Sequence, residues 1–194
     1  RCGIMEVLKQ RILSEGEAYE GGVLIVDQFL NHQIDPILSE ELGNEIARRY
    51  EGEAITKVLT VEASGIAVAL MTARALGVPV VFAKKAKNVS QIGEILTAEI
   101  YSFTKKQSTL ITVSKKFINE SDQVLIVDDF LAHGEALRGL CQIVETTGAQ
   151  VVGVGIVIEK VFQGGGKKLR SEGLRIESLA YIASMGDGEI KFAE

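Results

Sequence analysis

The segment that most constrains the fold of this chain is residues 124–137. Its first residues, Val124–Val127, are apolar and mostly β-branched, which is typical of a strand buried on both faces of a parallel sheet. Asp128 and Asp129 follow, and we expect the strand to end there. Gly134 then allows a tight loop, after which apolar residues recur at helical spacing. This order of strand, acidic pair, loop and helix predicts an α/β fold built on a parallel sheet.

The polar groups of the same segment suit a phosphorylated sugar. Ligands of open α/β sheets bind at the carboxyl ends of the strands, where Asp128 and Asp129 could accept hydrogen bonds from the vicinal hydroxyls of a ribose. Backbone N–H groups of the loop Ala132–Ala136 could cradle a phosphate at the start of the next helix. The alternative is an ordinary strand-to-helix turn in which the two aspartates only cap the helix.

Composition narrows the class of protein. A net charge of −5 and a pI of about 5.3 argue against nucleic acid or an anionic membrane as the main partner. The longest apolar runs, Ile66–Ala73 and Val151–Ile158, are too short to span a bilayer, and the N-terminus lacks a signal-peptide pattern. We therefore expect a soluble, cytoplasmic protein that forms a single domain over residues 1–194.

The cysteines and the first residues carry little functional signal. Cys2 and Cys141 show no disulfide-framework spacing, so we expect two free thiols. Residues 1–4 precede Met5, which we take as the natural start, and we expect them to be a cloning remnant.

A second loop of the same type lies earlier in the chain. A predicted strand, Thr56–Val61, leads through a tight turn with Ser64 and Gly65 into a predicted helix, Ile66–Leu76. These small residues let the backbone approach a second anionic group at a helix N-terminus. Alone this is weak support, because such turns occur in most doubly wound folds.

Positive charge follows the next predicted strand, Val78–Ala83. Lys84, Lys85 and Lys87 lie at its expected carboxyl end, where they could meet an anionic ligand. A solubilising run of charges is the alternative. We expect Lys84 and Lys85 to be the better candidates for ligand binding.

Other segments are expected to lie around this site. Asn31 precedes a predicted helix that starts at Asp35 and Pro36. The alternative for this stretch is a polar loop with a local helix cap and no ligand. Leu96–Thr104 and Leu110–Ser114 predict a long hairpin of the kind that often forms a lid. Lys160 follows the predicted strand Gln150–Ile158.

Together these motifs resemble the type I phosphoribosyltransferases, and among them the bacterial xanthine phosphoribosyltransferases. The resemblance runs from about Met5 to the end and rests on the acidic signature and on residues 30–36, 61–65 and 158–163. It implies a central, mainly parallel sheet flanked by helices. It also implies a flexible hairpin lid at about 86–114 and a small hood over the base, formed by about 20–36 and 159–194.

The resemblance also implies a reaction. The 5-phosphoribosyl group of phosphoribosyl pyrophosphate (PRPP) would pass to xanthine, giving xanthosine 5′-monophosphate and pyrophosphate in purine salvage. Mg²⁺ would arrive with PRPP rather than sit in a protein metal site, since it prefers phosphate oxygens and water. A homodimer is implied as well.

Three groups of site residues follow from the resemblance. Asp128 and Asp129 would engage the ribose hydroxyls as the catalytic pair. PRPP would be bound by Ser64, Gly65, Lys84, Lys85, Ala132, His133, Gly134, Glu135 and Ala136. Xanthine would contact Leu24, Asn31, Lys160 and Phe130, although a core role for Phe130 is an equal alternative.

The choice of base has an independent chemical argument. Xanthine presents two exocyclic oxygens and loses a ring proton readily, so a donor-only, cationic Lys160 favours it over adenine. Leaving a buried charge unpaired against adenine would cost ~3–5 kcal/mol. Guanine and hypoxanthine, each with one such oxygen, would be discriminated less and remain alternative substrates. A non-catalytic PRPP-sensing regulator is a further alternative, although the sequence shows no DNA-binding domain or basic surface.

Two departures from related enzymes concern the phosphate loop. Ala132 stands where hypoxanthine-guanine enzymes have an aspartate used on the base, and we expect xanthine's acidity to make that group dispensable. His133 and Glu135 stand where many members carry threonines. A carboxylate beside a phosphate is repulsive, so we expect Glu135 to offer its backbone N–H and turn its side chain outward.

Overall fold

The computed structural model describes residues 5–86, 93–102, 107–186 and 188–193. The helices are α1 (Glu6–Glu15), α2 (Pro36–Arg49), α3 (Gly65–Leu76), α4 (Glu135–Thr146) and α5 (Gly165–Ser171). Single turns are π-helical at Asp27–Asn31 and 3₁₀-helical at Lys115–Phe117 and Val161–Gln163. The strands are β1 (Glu17–Tyr19), β2 (Val23–Ile25), β3 (Lys57–Val61), β4 (Val80–Ala86), β5 (Ile95–Ser102), β6 (Gln107–Ser114), β7 (Gln123–Leu131), β8 (Gln150–Lys160), β9 (Ile176–Gly186) and β10 (Glu189–Phe192).

One 8-stranded sheet organises the chain, in the order β10-β9-β8-β7-β3-β4-β6-β5. Its centre, from β9 to β4, is parallel, whereas β10 and the β5–β6 hairpin add antiparallel strands at the two edges. Strands β1 and β2 form a separate antiparallel pair. The expected mainly parallel sheet flanked by helices is confirmed. Strand β9, in the segment expected to form part of the hood, belongs to this large sheet.

Strand β7 is the central strand predicted from its apolar run. Val124–Val127 are fully buried between the parallel neighbours β3 and β8. The prediction that the strand ends at the acidic pair is wrong, because β7 continues to Leu131. Asp128 is in register with Ile156, and Phe130 with Ile158. The longer β8 supplies the hydrogen-bonding partner that keeps the backbone of the acidic pair in the sheet.

The helices cover the two faces of the sheet with separate apolar clusters. One cluster joins α1, α2 and α3 to the sheet through residues such as Leu8, Ile46 and Val68. The other includes Leu140 and Ile143 of α4. Cys141 of α4 is a free thiol, as expected, and burial raises its pKa to about 11. Cys2, with the other residues before Met5, lies outside the described residues.

The predicted hairpin is present but begins and ends at different residues. Strands β5 and β6 pair from Ile95 with Ser114 to Ser102 with Gln107. Their inner face belongs to the core, since a Cβ added to Gly139 of α4 would lie 2.5 Å from the side chain of Ile100. Residues 87–92 and 103–106 of the expected lid lie outside the described residues. Closure of this hairpin over a substrate stays a prediction.

The lysines expected after a strand lie inside one. Strand β4 begins at Val80 rather than Val78 and runs through Lys84 and Lys85 to Ala86. The strand is extended because β6 pairs with it antiparallel, with Lys84 opposite Thr112. Lys87 lies outside the described residues.

Among the described helices, none is long and apolar enough to cross a membrane.

Candidate active site

The two predicted anion-binding loops meet at the carboxyl ends of β3 and β7, which are adjacent in the sheet. Gly65 opens α3 directly after the first loop. A Cβ added to Gly65 would overlap Thr60 Oγ1 and lie 2.7 Å from Asp128 Oδ1. The absence of a side chain at Gly65 therefore lets the first loop lie directly against the acidic pair.

The acidic pair is buried. Asp128 and Asp129 are 5% and 6% exposed, and the Asp129 N–H donates to Asp128 Oδ1 at 3.0 Å. Burial, followed by the charge of Asp129, raises the pKa of Asp128 well above its usual range, while the charge of Lys85 acts in the opposite direction. Polar ligand groups that hydrogen-bond to these oxygens would replace the solvation that burial removes.

The second loop ends at the N-terminus of the 12-residue helix α4. Gly134 adopts the left-handed conformation, with φ of 89°, at the position before the helix. Gly134, as the N-cap residue, has no side chain with which to cap α4. The first backbone N–H groups of the helix, and the positive end of its dipole, are thus available to an anion.

The side chains of the second loop differ in their surroundings. His133 is exposed, whereas Ala132, Glu135 and Ala136 are partly buried. The pKa of Arg138, one turn into α4, is raised mainly by its hydrogen bond to Glu172, with a smaller contribution from the charge of Glu135. The outward orientation of the Glu135 side chain stays a prediction.

Lys160, at the end of β8, lies beside the acidic pair. Its Nζ donates to the backbone oxygen of Gly22 at 2.8 Å and lies 5.0 Å from the centre of the Phe130 ring. Burial lowers the pKa of Lys160, and the charge of Asp129 opposes this. The structure thus brings together a partly buried cation, an aromatic face and a carboxylate.

The remaining residues expected to meet the base lie in the N-terminal segment. Leu24 of β2 is buried in the apolar cluster against which Phe130 also packs. Asn31 ends the π-helical turn, and its Oδ1 is buried without a hydrogen-bond partner among the described residues. An amide oxygen in this condition can accept a hydrogen bond from a ligand.

Comparison with known proteins places the chain in a family. Residues 25–174, more than half of the chain, match the family model described as "Phosphoribosyl transferase domain". The chain belongs to the phosphoribosyltransferase family. This phosphoribosyltransferase is 55% identical over 190 residues to a xanthine phosphoribosyltransferase of Bacillus cytotoxicus, covering 98% of this chain and 96% of that protein. It is 54% identical to the enzyme of the same name from Bacillus thuringiensis, with the same coverage.

Solved structures show the same fold. The adenine phosphoribosyltransferase of Giardia lamblia, complexed with 9-deazaadenine, gives a TM-score of 0.75 at 21% identity, covering 89% of this chain and 96% of that one. The adenine phosphoribosyltransferase of Thermoanaerobacter pseudethanolicus gives 0.66 at 28% identity, covering 75% and 81%. The type I phosphoribosyltransferase fold expected from the sequence is confirmed.

The two lysines of this phosphoribosyltransferase differ in their relation to the acidic pair. The backbone N–H of Lys85 donates to Glu62 Oε1 of the first loop at 2.6 Å, and the charge of Lys85 acts on Asp128. Lys84 instead lines a cavity of about 310 Å³ between β4 and β6, together with Phe82. Lys85 is therefore the lysine whose backbone contacts the first loop.

Sequence reasoning missed the residues that support the loops. Glu62 joins the first loop to β4, and the Gly165 N–H donates to the backbone oxygen of Ala132 at 3.1 Å. The three consecutive glycines, Gly164–Gly166, were a usable signal, because such a run commonly marks close backbone packing. Glu62 gave no comparable signal, since a glutamate after a strand is common in any loop.

Proposed function

We propose that this phosphoribosyltransferase transfers the 5-phosphoribosyl group of PRPP to xanthine, releasing pyrophosphate and forming xanthosine 5′-monophosphate. The observation that carries the choice of base is the partly buried Lys160 ammonium beside Phe130 and Asp129. The printed names of the Bacillus relatives support the same substrate.

PRPP would bind along the carboxyl ends of β3 and β7. The N–H groups of Ala132–Ala136 receive the 5′-phosphate at the start of α4, because the helix end supplies free donors and positive charge. The turn of Ser64 and Gly65, with Lys85, receives the pyrophosphate. Lys84 contributes less, since it lines a separate cavity.

The acidic pair would bind the sugar. The Asp128 and Asp129 carboxylates accept hydrogen bonds from the two ribose hydroxyls and stabilise positive charge that develops on the sugar ring. No group of three metal-ligating side chains occurs among the described residues. A pair of carboxylates suits Mg²⁺ that takes most of its ligands from PRPP and water. When bound, the ion neutralises charge on the leaving pyrophosphate.

The chemistry then needs little from the protein beyond positioning. A purine ring nitrogen displaces pyrophosphate from the anomeric carbon through an oxocarbenium-like transition state. The loops fix the sugar relative to the base, and closure of the β5–β6 hairpin excludes water from that cation.

Base selection rests on hydrogen-bond chemistry. Lys160 has donors only, so an oxygen of xanthine satisfies it whereas the amino group of adenine does not. Asn31 can both donate and accept, with its buried Oδ1 free to accept from a ring N–H. Leu24 and Phe130 provide the apolar walls of the base pocket. Guanine or hypoxanthine as the preferred base is the alternative substrate choice.

The deciding experiment measures product formation from PRPP and Mg²⁺ with xanthine, hypoxanthine, guanine and adenine in parallel. We expect xanthine to be used best and its turnover to collapse in Lys160→Ala. Lys115→Ala is the matched control, because Lys115 is exposed and paired only with Glu94 at 2.9 Å among the described contacts. Adenine ranking first would overturn the role of Lys160. PRPP binding without turnover of any base would favour a PRPP-sensing regulator.

Assembly and location complete the proposal. The enzyme is a homodimer, which light scattering of the purified protein would test directly. A cytoplasmic location stays a prediction from the sequence.

A further inference from the structure

A partly buried ion pair lies behind the phosphate loop. Glu159, 2% exposed at the end of β8, accepts hydrogen bonds from both terminal nitrogens of Arg170, each at 2.7 Å. Ser178 Oγ donates to the same carboxylate at 2.5 Å. A bidentate, charge-assisted pair with a buried carboxylate holds its geometry much more strictly than an exposed ion pair.

Two glycines fill the space between this ion pair and the phosphate loop. A Cβ added to Gly166 would overlap Glu159 Oε1, and one added to Gly165 would overlap the backbone oxygen of Ala132 and lie 2.5 Å from the backbone carbon of His133. The Gly165 N–H also donates to the Ala132 oxygen at 3.1 Å. The ion pair, the glycine turn and the loop are therefore in direct contact, with no room for a side chain between them.

The same ion pair adjoins the base site. Glu159 and Lys160 are consecutive residues of β8, so their side chains leave opposite faces of the strand. One contacts Arg170 of α5, and the other contacts Gly22 and the Phe130 ring. The end of β8 thus supports the phosphate loop on one face and carries the base-site lysine on the other.

We propose that the Glu159–Arg170 pair and Gly165 form a positioning unit, which sets the Ala132 carbonyl and hence the direction of the loop N–H groups toward the 5′-phosphate. The inference rests on the proposed function in one respect, the assignment of this loop to the 5′-phosphate. Neither Glu159 nor Arg170 touches substrate; both act through the loop. If the pair merely stabilised the fold, a substitution that breaks it would lower the melting temperature without changing phosphate affinity.

Gly165→Ala tests the contact directly. The added methyl group must push the Ala132 carbonyl aside, whereas alanine itself suits the first turn of α5. We expect the Kd for ribose 5-phosphate, measured by calorimetry, to rise about 10-fold or more, because small misplacements of binding groups cost that much. Ser171→Ala, an exposed position of the same helix, should keep the wild-type Kd.

Substitutions of the ion pair give a graded test. Arg170→Lys keeps the charge but cannot hold both carboxylate oxygens in the fork geometry, and Arg170→Gln removes the charge as well. We expect the Kd for ribose 5-phosphate and the KM for PRPP to rise in that order, reaching about 10-fold in Arg170→Gln, while kcat at saturating PRPP changes little. The control is Arg74→Gln, which breaks the more exposed pair with Glu40 and should keep the wild-type Kd.

The outcomes separate the proposals. Folded Gly165→Ala and Arg170 variants that bind ribose 5-phosphate with the wild-type Kd would overturn the positioning role, whatever their melting temperatures. Wild-type protein that binds ribose 5-phosphate but does not turn over xanthine would overturn the proposed reaction alone. Wild-type protein that fails to bind ribose 5-phosphate would overturn the loop assignment and the positioning role together.

Discussion

Lys160 Nζ donates a 2.8 Å hydrogen bond to the backbone oxygen of Gly22, although the two residues are 138 positions apart in the sequence. The contact connects the cation of the proposed base pocket to the turn between β1 and β2. An ammonium group has three donors, so Lys160 can keep this bond and still donate to a base. The turn therefore helps to fix where the cation stands.

Displacing that turn should weaken xanthine binding. Gly22 has φ of 79°, and a Cβ there would lie 3.1 Å from Gln163 Nε2 and 3.2 Å from the Phe162 ring. We expect Gly22→Ala to raise the KM for xanthine about 10-fold and to leave the KM for PRPP near the wild-type value. Steady-state kinetics with each substrate varied in turn would measure both.

The neighbouring glycine provides the matched control. Gly21 has φ of 78°, but a Cβ there would meet nothing within 4 Å. Gly21→Ala thus introduces the same backbone strain without the contact, and its xanthine KM should change less. Equal changes in both variants would assign the effect to strain rather than to the position of the Gly22 carbonyl.

Asp128→Asn should stabilise the fold while lowering the enzymatic activity. Burial and the charge of Asp129 raise the pKa of Asp128, so the folded state binds more protons than the unfolded state above the ordinary aspartate pKa. The contribution of Asp128 to the stability of the wild-type protein therefore falls as the pH rises from about 4 toward the raised pKa. We expect Asp128→Asn to raise the Tm at pH 7 by at least about 2 °C and to lower kcat/KM strongly.

Asp122 provides a comparison of opposite sign. Although burial opposes its ionisation, hydrogen bonds from Asn119, Lys57 and Thr56 hold the pKa of Asp122 below its ordinary value. Its contribution to stability is present above the unfolded pKa and is lost as the pH falls through the folded pKa. Asp122→Asn should therefore lower the Tm at pH 7. A rise in Tm for both asparagine variants would show that the gain in Asp128→Asn does not come from the raised pKa of Asp128.

Glu135→Gln tests whether the loop carboxylate faces the phosphate. If the side chain turns outward and only the backbone N–H binds, PRPP affinity should stay within about twofold of wild type, since exposed charges act weakly through water. Calorimetry with PRPP and Mg²⁺ would measure this. A large gain in affinity would show that the carboxylate opposes binding.

Thr60→Val should be neutral for stability or increase it. Thr60 is fully buried, and its Oγ1 has no hydrogen-bond partner among the described residues. Removing an unsatisfied buried hydroxyl at constant shape can contribute about 1 kcal/mol, or about 2–4 °C in Tm for a domain of this size. Thermal unfolding would measure the change, and a drop of the same size would reveal a partner for the hydroxyl.

The local elements of the fold were predictable from the sequence. The apolar run before Asp128 specified a buried strand, and Gly134 with the helical spacing after it specified the loop and α4. The Asp35-Pro36 start of α2 was also readable, and Asp35 does cap that helix. Such signals involve residues within a few positions of one another, so they can be recognised without knowing which elements pack against them.

Strand lengths at the site were not predictable in the same way. Strand β7 continues through Asp128 and Asp129 because β8 pairs with it, and β4 continues through Lys85 because β6 does. From the sequence alone, polar residues at those positions indicate the ends of strands, because the partner strand is not known. The hydrogen bonds to the partner strand, rather than the local composition, determine where these strands end.

The α/β class, the acidic pair, the two loops and the resemblance to type I phosphoribosyltransferases could all be inferred from the sequence alone, because each resides in a contiguous motif. The folded structure was needed to show that Lys160 contacts Gly22, that Gly165 contacts Ala132, and that the Lys85 N–H donates to Glu62 of the first loop. These contacts join residues that are far apart in the chain, so no local sequence signal reports them. They depend on the order in which the strands pair and on the close packing of glycine backbones between them.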